Sequence, residues 1–141
     1  MAHSHDLSRF LDAQNDIYEQ VLFELKTGQK RSHWMWFIFP QIQGLGSSST
    51  AKHYAIQDAN EALAYYRHTD LGERLKECTR ILLKIENPDV DYIFGYPDNL
   101  KFKSSLTLFS AATSNPIFEQ GLDHFFHGVK DEQTLLILAE K

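Results

Sequence analysis

A chain of 141 residues that is 43% apolar and 13% aromatic can bury a sizeable core, which excludes a disordered protein. A formal net charge of −5 excludes a general nucleic-acid binder, which would carry a basic face. The single cysteine, Cys78, excludes an intrachain disulfide and a cysteine-based zinc site, and fits a reducing compartment.

The start, Met1 to His5, is polar and holds His3 and His5. It reads as a tail on one domain spanning residues 1–141. No basic region followed by an apolar run marks a signal peptide. The longest apolar run, Trp34 to Pro40, falls far short of the roughly 20 residues that span a bilayer. A cytoplasmic protein that does not enter a membrane is expected.

Leu7, Phe10, Leu11, Ile17, Tyr18, Val21, Leu22 and Leu25 recur at helical spacing, which predicts one helix from Asp6 to Lys26. Asp6 or Ser8 can cap it, and Gly28 suits its C-terminus. Gln29, Lys30 and Arg31 then read as a polar exit, with Lys26, Lys30 and Arg31 as a solvated basic rim. Ser32 to Ile42 has no clean period, so helix and extended chain remain equally open. Its six consecutive large apolar residues, Trp34 to Phe39, must be buried or line a pocket. Gly44 to Ser49 is a loop of small residues.

Helical patterning resumes at Thr50 with Ala51, Tyr54 and Ala55. Asp58-Ala59-Asn60-Glu61 resembles a capping box opening a helix through Tyr66, and Asp70-Leu71-Gly72-Glu73 repeats the device. Leu71, Leu75, Cys78, Leu82 and Ile85 step by four and three along an amphipathic helix, which places Cys78 in the core. Asn87-Pro88 ends it. Tyr92 to Phe94 form a short element closed by Gly95. Asp98 is expected to cap a helix over Leu100 to Ala112. Asn115-Pro116 opens another through Phe126, and Asp131 caps the last, Glu132 to Ala139. No strand alternation and no heptad persist. The expected fold is all-α, a compact orthogonal bundle of about seven helices.

Three places could carry chemistry. In Ser32 to Gln41, the tryptophans Trp34 and Trp36 offer ring faces, and His33 and Gln41 bracket the run, a mix that suits a ligand pocket. Gly44 to Ser49 runs into a helix, so Ser47 and Ser48 could hold an anion, although no Walker ending follows. Asp98, Lys101 and Ser105 are spaced three and four apart and share one helix face. Together these predict a site for a flat anionic molecule of the nucleotide type. His33 or Asp98 would serve as acid or base, and Trp34, Trp36, Gln41, Ser47, Ser48, Lys101 and Ser105 as binding residues. The competing expectation is a non-catalytic interaction module. His124 and His127 lack a visible third ligand, so no metal is expected, and nothing implies a cofactor.

The residues also carry a resemblance. His33-Trp34-Met35-Trp36-Phe37-Ile38-Phe39-Pro40-Gln41, Gly44-x-Gly46-x-Ser48, Glu61-Ala62-x-Ala64-Tyr65, Leu71-Gly72-x-Arg74-Leu75, Phe94-Gly95, Asp98, Lys101 and Ser104 to Phe109 resemble a family of small bacterial proteins, domain of unknown function 1810. The resemblance covers about Leu7 to Leu138. It implies a mostly helical single-domain protein and no particular activity. Some members carry the label calpastatin, but calpain inhibitors are long, disordered and repetitive, and this chain is none of these.

Overall fold

A computed structural model describes residues 5–141 of the chain. Of the expected polar tail, His3 lies outside the described residues, while the His5 ring stands 3.6 Å from Glu61. Among the described residues the fold is all-α, with ten helices in a compact orthogonal arrangement and no strand. Three helices beyond the expected seven come from one break and two short turns. No described helix is long and apolar enough to cross a membrane.

The break divides the first predicted helix into α1 (Ser8–Asn15) and α2 (Tyr18–Thr27). Asn15 Oδ1 accepts from the Arg74 guanidinium at 3.1 Å, and Ile17 N–H closes a turn onto the Gln14 carbonyl at 3.0 Å. Gly28 ends α2 in the left-handed conformation its position calls for (φ 82°). The aperiodic tryptophan segment is both helical and extended. It makes a single turn, α3 (Met35–Ile38), and then straightens. Ile42 beyond it pairs with Ile56 in a short parallel bridge, sealed by Gln43 N–H to the Ile56 carbonyl at 2.7 Å and Ile56 N–H to Gln41 at 2.8 Å. Between the bridge residues runs α4 (Ser49–Tyr54), whose start is capped by the Ser48 hydroxyl.

The capping box opens α5 (Ala59–Arg67). Asp58 accepts from Glu61 N–H at 2.8 Å, and Glu61 accepts from Gln57 N–H at 2.9 Å. Asp70, expected to cap the next helix, lies inside its first turn. The cap of α6 (Thr69–Leu83) is instead His68, whose Nδ1 accepts from the N–H groups of Asp70 and Leu71. Gly72 is dictated by packing: a Cβ there would sit 1.9 Å from the Tyr66 carbonyl oxygen, so only glycine lets α6 turn so tightly past the end of α5.

Asp89 caps the short α7 (Val90–Phe94), and α8 (Asp98–Ala112) follows the turn at Gly95. Asp98 is the first residue of α8 and makes no cap; its carboxylate is committed elsewhere. α9 (Ile117–Phe126) and α10 (Glu132–Glu140) start at Asn115 and Asp131 as expected.

The hub of the molecule is α8, which packs against α3, α5, α7, α9 and α10. Its residues Phe102 and Ser104 to Phe109 are buried around the whole circumference. Phe102 anchors the aromatic core, with ring centroids 4.9 Å from Phe39, 4.7 Å from Phe94 and 5.4 Å from Phe125. Two of the small polar residues of α8 bond back to their own helix, Ser104 to the Leu100 carbonyl and Thr107 to that of Lys103. Leu71, Leu75, Cys78 and Leu82 of α6 are buried as their spacing predicts, whereas Ile85, expected to continue the stripe, lies beyond the end of α6 and is half-buried.

Candidate functional site: a row of lysines and tryptophans

The site begins at a buried acid. Glu24 sits on the inner face of α2 with no exposure, beside Val21 and Leu25. Its carboxylate accepts five hydrogen bonds: Arg31 N–H (2.7 Å), Ser32 N–H (2.9 Å), Ser32 Oγ (2.6 Å), Gln20 Nε2 (2.9 Å) and Trp34 Nε1 (2.9 Å). Burial pushes this carboxyl up. The Ser32 hydroxyl, the Arg31 N–H, the Gln20 amide and the Ser32 N–H together outweigh burial and hold it at about 2. Glu24 therefore folds the polar exit of α2 back onto the core and seats the indole of Trp34.

Lys30, on that same exit, is held by its own N–H to the Ile93 carbonyl at 2.7 Å. Its ammonium lies 5.2 Å above the Trp34 ring and 2.8 Å from Asp98 Oδ2. On the other oxygen of Asp98, at 3.5 Å, is the ammonium of Lys101, which in turn lies 4.7 Å over the ring of Trp36. The order from the core outward is Trp34, Lys30, Asp98, Lys101, Trp36, with a ring at each end and the charges between. Both ammonium–ring distances are within cation–π range. Exposure grades along the row: the Lys30 side chain is 8% exposed, Asp98 19% and Lys101 23%. Two cations share one paired carboxylate, so the Lys30–Asp98–Lys101 trio by itself carries one positive charge, with the ionised Glu24 set behind the Trp34 ring.

The sequence-predicted residues divide accordingly. Asp98, Lys101 and Trp36 come together. Gln41 lies across a crevice from Trp36, walled by Gly44, Gly46, Tyr54 and Ala55. That crevice encloses about 20 Å³, which is room for about one water and not for a ring. Trp34 is fully buried, so it supports the site from beneath rather than stacking on a ligand. Two tryptophans two residues apart on one helical turn cannot share a face, and here one fills the core while the other edges the surface. Ser105 is also buried, one turn beyond Lys101, and its hydroxyl has no partner among the described residues. His33, Ser47 and Ser48 are exposed. The Ser48 hydroxyl already accepts the Ala51 N–H, at the start of a helix of only six residues.

Two contributors escaped the sequence reading. Lys30 is not part of a solvated rim: its partner Asp98 is 68 positions away, a separation no local pattern reveals. Glu24 left one trace, an acid at the position of α2 that its apolar neighbours Val21 and Leu25 mark as inward. Elsewhere, His124 Nε2 is paired with the Ile85 carbonyl at 2.7 Å.

The crystal structure of the conserved hypothetical protein Rv1873 from Mycobacterium tuberculosis is similar, with 47% identity over 95% of this chain and 96% of that one and a TM-score of 0.93. A comparison with curated protein sequences finds no match. A family described as protein of unknown function (DUF1810) matches residues 4–138, nearly the whole length, and the chain belongs to that family.

Proposed function

We propose that the row of Lys30, Asp98, Lys101 and Trp36 binds the anionic group of a small, nucleotide-like molecule, and that binding is its task. The observation that carries this reading is the sharing of one carboxylate by two partly buried ammonium groups, each backed by a tryptophan ring. A fold does not need such a cluster for stability, since a buried ion pair is about as stable as the apolar contacts that could replace it. An unbalanced cation beside a half-buried ring is suited to a flat anion. The crevice beside Trp36 is too small to enclose a base, so the ring portion of the ligand lies on the surface, against Trp36 and Gln41. Asp98 has both oxygens engaged by ammonium groups, which favours a binding role over proton transfer.

A second reading, an interaction module, is favoured by one observation. The groove between α2 and α6 is wide open, about 440 Å³, and is lined by Lys26, Arg74, Arg80 and Lys84 together with Glu73 and Glu77. An open groove with charged walls suits an extended protein partner.

Thermal denaturation in the presence of pyrophosphate, adenosine monophosphate or uncharged adenosine separates the readings. The anions are expected to raise the melting temperature by several degrees at saturation, and adenosine to leave it unchanged. Lys101→Met abolishes the rise. The ligand reading fails if no anion stabilises the protein or if Lys101→Met responds as the wild type does.

A further inference from the structure

Resting on the anion-binding reading, we infer that Asp98 is an internal competitor for the ligand, and that the group which displaces it is a dianion of the phosphate-monoester class. The geometry assigns it this part. Lys101 is reachable from solvent, but Lys30 is only 8% exposed, and the Asp98 carboxylate stands 2.8 Å in front of its ammonium. An incoming anion can touch both lysines only by taking the place Asp98 occupies.

The charge count then selects the ligand. With Asp98 in place, two ammonium groups face one negative charge. A carboxylate that replaced Asp98 would exchange like for like, against a competitor already tethered at high effective concentration. A phosphate monoester carries about −1.5 to −2 at neutral pH and has three acceptor oxygens, so it neutralises both ammonium groups where Asp98 neutralises one. Displacement is also mechanically easy. Asp98 is the first residue of α8, a helix of 15 residues, and a carboxylate released there stays beside the positive end of the helix dipole. Asp98 thus acts as a plug that rejects monoanions and yields to dianions.

The inference predicts that removing a charge of the ligand's own sign improves binding. Asp98→Asn keeps the shape and removes the competitor. In chloride buffer this variant should melt below the wild type, because Lys30 and Lys101 then face each other uncompensated. Inorganic phosphate should restore the loss. By calorimetry, Asp98→Asn should bind inorganic phosphate at least tenfold more tightly than the wild type, and should bind acetate, which the wild type does not. Asp98→Ser gives the same comparison should the asparagine variant fold poorly. The plug is overturned if wild type and both variants bind phosphate equally, or if the variants bind it more weakly; phosphate binding by the wild type would leave the anion site itself standing. If phosphate binds none of the three, the anion reading falls and the plug with it.

Discussion

Replacement of Glu24 by glutamine tests how the site is held together. The folded carboxyl is held at about 2, against 4.5 for an ordinary glutamate. Such a depression corresponds to roughly 3 kcal/mol of stability at neutral pH. The sign follows from the direction: a group with a lowered folded pKa contributes fully above its unfolded value, and loses that contribution as pH falls from about 4.5 towards 2. Counting bonds gives an upper bound of about 5 kcal/mol, from which the cost of burying the charge is deducted. Glutamine keeps one acceptor oxygen but loses the charge that strengthens all five hydrogen bonds, and charged hydrogen bonds exceed neutral ones by about 1 kcal/mol each where they are buried. Urea denaturation of wild type and Glu24→Gln at a series of pH values measures the difference. It should be near 3 kcal/mol at pH 7 and shrink towards zero near pH 2, where the folded wild-type acid is half protonated and the unfolded one fully so. A difference that stays constant from pH 7 to pH 2.5 would refute the claim that an ionised, five-bonded Glu24 anchors the segment.

Further outcomes follow from the same packing. Trp34→Leu removes a fully buried, hydrogen-bonded indole and should cost about 3–5 kcal/mol in denaturation experiments, whereas the surface-edging Trp36→Leu should cost less than about 1.5 kcal/mol. Gly72→Ala would drive a methyl group into the Tyr66 carbonyl at 1.9 Å and should lower the melting temperature by more than any other glycine-to-alanine change in a helix of this protein. Burial pushes the Cys78 thiol up to about 12, against the weaker pull of the Tyr18 hydroxyl, so thiolate is about a thousandfold scarcer than for a free thiol with pKa 9. Native labelling by a thiol reagent should therefore be slow and should accelerate sharply in denaturant. Fast native labelling would contradict the packing of α6.

Local rules served well where the partner was near in sequence. Asp58 and Glu61, three apart, declared their box, and the four-and-three stepping from Leu71 to Leu82 buried Cys78 as expected. They failed where tertiary partners decide. Asp98 looks like a helix cap, but two lysines claim its carboxylate, one of them from the end of α2. Asp70 looks like a cap two residues after a histidine that caps better in place. The run from Trp34 to Phe39 has no period because it has no single conformation: one turn of helix gives way to extended chain, and burial on nearly all sides removes the polar gaps that would show either. Within the predicted site, the pairing of Asp98 with Lys101 was visible from their spacing. The closure of the cluster by Lys30, and the support of Trp34 by Glu24, depend on a chain reversal that no window of sequence contains.

The chain has two tryptophans, so its nitrogen-15 correlation spectrum holds two indole N–H signals, and these give the most direct test of the proposed site. Titration with adenosine monophosphate should move the Trp36 indole signal and leave that of Trp34, sealed against Glu24, in place. The shift should vanish in Lys101→Met. An unmoved Trp36 signal at saturating nucleotide, or an equal shift in Lys101→Met, would contradict the account.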